Sequence, residues 1–147
     1  MDVILIATME KNISSRNVFR DIAIREDKKN LELNPLLSGY INRYHENLGI
    51  ACLAAYLRQF QYRVQIINAN IENMVNEQII TEILLKKPIL VGFSMLYELH
   101  IYNTLDIIFQ LRNKGYSGHI SIGGPAASFT YEFLLRSSLG IDSVMAI

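Results

Sequence analysis

The chain has 147 residues, enough for one domain with a proper core, and half of them are apolar. Its 14 basic and 14 acidic side chains cancel, which removes any electrostatic case for nucleic acid. No apolar run approaches the roughly 20 residues of a membrane span, and a single cysteine, Cys52, excludes an internal disulfide and a multi-cysteine metal site; a globular, cytoplasmic protein is expected.

Val3–Ala7, VILIA, is rich in β-branched residues and predicts a buried central strand. Asp2 and the lack of a cationic flank argue against a signal peptide. Thr8 and Met9 follow at the carboxyl end of the strand. Residues 9–46 lack clean periodicity and read as one long loop or insertion. A lid over a ligand edge and a segment packed on the sheet are equal readings of it. Asn47 then stands where it can cap a helix over LGIACLAAYLRQF, residues 48–60. Gly49 in its first turn weakens the helix, so a close backbone or ligand contact, or tight packing on the sheet, is expected there. Cys52, inside this apolar stretch, reads as a core residue.

Arg63–Ala69 predicts a second strand, which Asn68 and Asn70 end at the ligand edge; a ligand contact is one reading of them, and ordinary turn or cap residues the leading one. Ile71, Val75, Ile79 and Ile83, with Ile80 and Leu84, form one helical stripe that Lys86, Lys87 and Pro88 close. Ile89–Phe93 is a third strand. Ile101, Leu105 and Ile108 predict a crossover helix, with Gly115 where it stops. His119–Ile122 is a fourth strand and runs into Gly123-Gly124-Pro125-Ala126. Ser128 or Thr130 starts a short helix through Arg136, and Ile141–Ile147 is a fifth strand. Strands alternating with helices predict a parallel α/β sheet covered on both faces. The turns at Ser94-Met95-Leu96 and Gly123-Gly124 then fall at the carboxyl ends of their strands, where open sheets bind ligands.

These turns carry a family resemblance. Ser94-x-Leu96, then residues 97–122, then Gly123-Gly124 resembles the second half of the cobalamin-binding fingerprint Asp-x-His-x-x-Gly, Ser-x-Leu, Gly-Gly. LGIACLAAYLRQF at 48–60, VQIINANI at 64–71, KKPILVGFSM at 86–95 and ISIGGPAAS at 120–128 occur in order. Together they resemble the cobalamin-binding domain N-terminal to the catalytic barrel of many radical S-adenosylmethionine enzymes. The ordered set carries the resemblance. Ser-x-Leu alone does not, because Ser137-x-Leu139 repeats it.

The resemblance implies a doubly wound, flavodoxin-like sheet of order 2-1-3-4-5 spanning residues 1–147. It implies cobalamin contacts from Thr8, Met9, Leu48, Gly49, Ser94, Met95, Leu96, Gly123, Gly124, Pro125 and Ala126. Ser94 offers a hydroxyl to a buried heterocycle. Met95 and Leu96 offer apolar surface to the corrin or its tail. The glycine pair lets the nucleotide tail pass, and a leucine side chain at Gly124 is expected to fill that channel and to change stability less than affinity. The Asp-x-His-x-x-Gly motif is absent: Tyr44 and Glu46 stand at its Asp and His positions, and His45 is out of register. His45, His100 and His119 read as surface or structural residues, so base-off cobalamin with no histidine ligand is expected, and no protein metal site. The chain looks like a domain excised from a longer protein. The iron–sulfur cluster, the S-adenosylmethionine and the catalysis, methyl transfer or a related reaction, would belong to a downstream barrel. A flavodoxin-type binder would need a glycine-rich loop after strand one, and a phosphoacceptor receiver an aspartate at Ser94. The rival reading is an α/β scaffold or interaction domain that has lost cobalamin.

Overall fold

A computed structural model describes residues 1–8, 47–72, 74–96, 100–137 and 139–146. The long segment 9–46, with Met9 and His45, lies outside the described residues, as do 97–99. Five strands form one sheet: β1 (Val3–Ala7), β2 (Val64–Asn68), β3 (Leu90–Ser94), β4 (His119–Gly123) and β5 (Ser143–Val144). Every pairing is parallel and the order is 2-1-3-4-5, as expected. The helices are α1 (Leu48–Gln59), α2 (Ala69–Glu72), α3 (Asn76–Lys86), α4 (His100–Asn113) and α5 (Pro125–Arg136).

Strand alternation sorts the side chains onto two faces. Ile4, Ile6, Ile67, Val91, Phe93, Ile120 and Ile122 point one way. They pack with Ile79 and Ile83 of α3, Ile107 and Leu111 of α4, and Leu134 of α5. Each isoleucine enclosed there contributes roughly 1.5–3 kcal/mol relative to an exposed one. Val3, Leu5, Ala7 and Val64 point the other way and pack with Ile50 and Ala54 of α1. In register beside them stand Leu90, Gly92 and Ser94, then His119, Ser121 and Gly123, then Ser143. Beyond α1, this second face is therefore built of small and polar side chains. His119 Nε2 and Ser143 Oγ are 2.8 Å apart, and Ser143 Oγ lies 3.0 Å from Ser121 Oγ.

Several boundaries differ from those the sequence predicts. The stripe from Ile71 to Leu84 is two helices. Glu72 Oε1 accepts from the Asn68 backbone N–H at 2.8 Å, which caps the start of α2, a single turn that ends at Glu72. Val75 is extended, and Gln78 Oε1 accepts from its N–H at 3.0 Å, which starts α3 afresh. The helix α5 begins at Pro125, earlier than Ser128, because proline suits the first helical position. The fifth strand is only Ser143–Val144. Gly115 ends α4 as expected. It adopts φ +84°, and the Tyr116 N–H reaches back to the Leu111 carbonyl at 3.0 Å. Cys52 corrects the sequence reading: it is exposed, because α1 turns Ile50 and Ala54 to the sheet instead.

Arg112, in the last turn of α4, fastens the β4–β5 edge. Its guanidinium donates to the carbonyls of Tyr116, Gly118 and Gly140 at 2.8–2.9 Å and to Asp142 Oδ2 at 2.5 Å. Asp142 also accepts from the Ile120 N–H at 2.7 Å.

Candidate functional site

The strand registers bring the carboxyl ends onto one line: Asn68 pairs with Ala7, Ala7 with Ser94, and Ser94 with Gly123. In this strand order the chain reverses direction between β1 and β3, so Ala7 and Ser94 flank the switch point. The helices α1, α4 and α5 all begin at this edge, and their N-terminal N–H groups leave it mildly electropositive.

Ser94 is half-buried, and its Oγ accepts a hydrogen bond from Asn47 Nδ2 at 2.9 Å. Asn47 is itself buried, and its Oδ1 caps α1 by accepting from the Ile50 N–H at 3.2 Å. The predicted cap thus has a second role that sequence reasoning missed. Leu48 and Gly49, the first turn of α1, are exposed beside it. A Cβ on Gly49 would meet the Asn47 Oδ1 at 3.2 Å, a mild conflict with the cap.

Thr8 is fully buried, and its hydroxyl lies 3.1 Å from that of Thr104 on α4. Its side chain is therefore spent inside the protein, and only its backbone shapes the edge. Met95 is corrected. It does not offer apolar surface to a ligand, because it is fully buried and continues the Val91–Phe93 row into the core. The alternation of β3 carried that signal. Its backbone holds the glycine turn: the Met95 N–H donates to the Gly123 carbonyl at 2.8 Å, and its carbonyl accepts from the Ala126 N–H at 3.2 Å. Leu96 does reach solvent, at 38% exposure. Pro125 is exposed, whereas Ala126 is buried in the core.

The two glycines differ. Gly124 has φ +100°, and a Cβ there would stand 2.5 Å from the Met95 carbonyl oxygen. A Cβ on Gly123 would meet only the Met145 Cβ, at 3.6 Å, an ordinary contact. Of the histidines, His100 is buried on α4 and His119 opens β4 at the opposite, amino edge. No group of three or more His, Cys, Asp or Glu side chains able to hold a metal occurs among the described residues. A partly buried polar cluster that the sequence did not single out ties α3 to α4. In it Asn76 Nδ2 donates to Asn103 Oδ1 at 2.6 Å and to Asp106 Oδ2 at 3.0 Å.

The edge thus combines an oriented hydroxyl, an open glycine and apolar side chains at Leu48 and Leu96, arranged at the switch point of a flavodoxin-like sheet. That defines a ligand-binding α/β domain. The family model for the B12 binding domain matches residues 36–147, most of the chain, and the protein belongs to that family. No curated protein and no solved structure matches the chain.

Proposed function

We propose that the domain holds cobalamin at this edge, base-off, with the nucleotide tail running past Ser94 and Gly123 along the second face of the sheet. The observation that carries the reading is the register pairing of Ser94 with Gly123. It sets the serine of Ser-x-Leu beside the first glycine of Gly-Gly, though they are far apart in sequence. The residues fit the group. Gly123 has room for a close approach, and Ser121 and Ser143 continue the same face with small, half-buried side chains. When bound, cobalamin supplies a cobalt centre able to carry a methyl group or an electron. The protein's part is to bind and orient. Ser94 donates its hydroxyl proton to the tail, Gly123 admits it, and Leu48 and Leu96 give apolar surface to the corrin. Thr8, pinned by Thr104, fixes the end of β1 beside them.

The ordered segments at 48–60, 64–71, 86–95 and 120–128 support a parent of the radical S-adenosylmethionine class, with methyl transfer or a related reaction in a downstream barrel of the same chain. This domain supplies no catalytic group of its own in that scheme. The test of binding is direct: the purified protein is mixed with hydroxocobalamin, desalted and scanned in the visible. Retained, stoichiometric colour is expected. A colourless, folded protein would leave the scaffold reading standing instead.

A further inference from the structure

We propose that Asn47 is a positioning residue that fixes the Ser94 hydroxyl as a donor, and so selects a ligand whose tail presents a hydrogen-bond acceptor. The inference rests on the cobalamin reading of the edge. The direction of the Asn47–Ser94 bond is set by the helix cap. Asn47 Oδ1 faces the Ile50 N–H at 3.2 Å, a donor that only the oxygen end of the amide can satisfy. The NH₂ end is therefore the one at 2.9 Å from Ser94 Oγ. An amide NH₂ accepts nothing, so Ser94 must accept from it, and the serine proton is left to point elsewhere. Among the described residues Ser94 Oγ makes no second hydrogen bond, and Ser94 is only half-buried. The hydroxyl thus faces the ligand edge as a donor. Its match is a lone pair, such as the unprotonated ring nitrogen of a benzimidazole tail detached from cobalt. A protonated tail, or one without a ring nitrogen, would find no partner there. The same amide also ties the first turn of α1 to the end of β3, so Leu48 and Gly49 keep a fixed distance from Ser94.

Asn47→Asp separates the two roles of the residue. Aspartate caps a helix as well as asparagine does, so the thermal midpoint should stay close to that of the wild type. Its carboxylate, ionised at neutral pH, accepts where the amide donated, so Ser94 turns its proton inward and offers the ligand only lone pairs. Cobalamin affinity, by absorbance titration, should fall about tenfold or more. Affinity for cobinamide, the corrin without its nucleotide tail, should not change. In a Ser94→Ala background the Asn47→Asp change should have no further effect. Equal cobalamin affinity in wild type and Asn47→Asp overturns the proposal, as does an equal loss for both corrinoids. If Asn47→Asp does not fold, Ser94→Ala alone decides, because undiminished cobalamin affinity there removes the donor. A wild-type protein that binds neither corrinoid would instead overturn the cobalamin reading itself.

Discussion

Gly124 and Met95 are fitted backbone to backbone: a Cβ on Gly124 would stand 2.5 Å from the Met95 carbonyl oxygen and 3.0 Å from its carbonyl carbon. That carbonyl is also the acceptor for the Ala126 N–H at the start of α5. The expectation that a side chain at Gly124 mainly blocks a ligand channel therefore fails on steric grounds. With φ at +100°, any side chain there meets both strain and a main-chain clash. Gly124→Ala should destabilise the fold by at least about 1–3 kcal/mol, read from denaturant unfolding. An unchanged midpoint would show that the turn can move aside.

Gly123 is the proper probe of the channel. Its Cβ would make one ordinary contact, with Met145 at 3.6 Å, and its position at the end of β4 suits a β-branched residue. Gly123→Val should unfold within a few degrees of the wild type yet bind cobalamin about tenfold more weakly or worse, on the order of one lost tail contact. Undiminished affinity in the folded variant would take Gly123 out of the site.

The Thr8–Thr104 pair predicts a non-additive double mutant. Both residues are fully buried and their hydroxyls are 3.1 Å apart. Thr104→Val keeps the shape but leaves the Thr8 hydroxyl without its partner, which should cost about 1–3 kcal/mol. Adding Thr8→Val should recover much of that loss, because a matched apolar pair has nothing left unsatisfied. Additive losses, measured by denaturant unfolding, would mean that each hydroxyl has its own role.

The strands were legible because Val3–Ala7, Val64–Asn68, Leu90–Ser94 and His119–Gly123 are short runs rich in β-branched and other apolar residues, separated by helical stripes. The face of α1 was not. Its sequence is apolar nearly all round, so periodicity could not tell that Ala54 meets the sheet while Cys52, Leu53 and Tyr56 face out. The site was half legible. Ser94 and Gly123 announce themselves by type and spacing, but the contacts that orient the edge join residues 47 and 96 positions apart in the chain. Such pairs arise from the topology, and no local pattern marks them. Met95 is the exception, since simple alternation after Val91 and Phe93 assigns it to the core.

Asp142 should make the β4–β5 edge sensitive to acid. Burial raises its pKa, but the Ile120 N–H and the Arg112 guanidinium outweigh burial and leave it below the usual carboxylate range. A carboxylate lowered by folding stabilises above its unfolded pKa, and that contribution is lost as pH falls through the folded value. Loosening should therefore begin below about pH 4. Hydrogen exchange at the Met145 amide, which donates to the Ile122 carbonyl at 2.8 Å, should speed up there relative to β1. In Asp142→Asn the same amide should exchange faster at neutral pH and lose most of this pH dependence. A wild-type profile in that variant would mean that Arg112 holds the edge through the three backbone carbonyls alone.

Cobalt bound at this edge should carry no histidine beneath it. Two of the chain's three histidines are out of position. His119 shares the face of Ser94 and Gly123 but opens β4 at the amino edge, beside Ser143 and at the other end of the strand from them. His100 is 4% exposed within α4, with its ring packed inside the protein. The third, His45, lies among residues 9–46 and stands one position away from where the Asp-x-His-x-x-Gly motif has its histidine. A ligating imidazole needs a second partner to fix its tautomer and aim, and Tyr44 takes the place of the aspartate that serves there. Electron paramagnetic resonance of the cobalt(II) form should accordingly show no nitrogen superhyperfine splitting from the protein. The spectrum should be unchanged in His45→Ala. Splitting present in the wild type and absent in His45→Ala would establish a histidine ligand and overturn the base-off, histidine-free reading of the site.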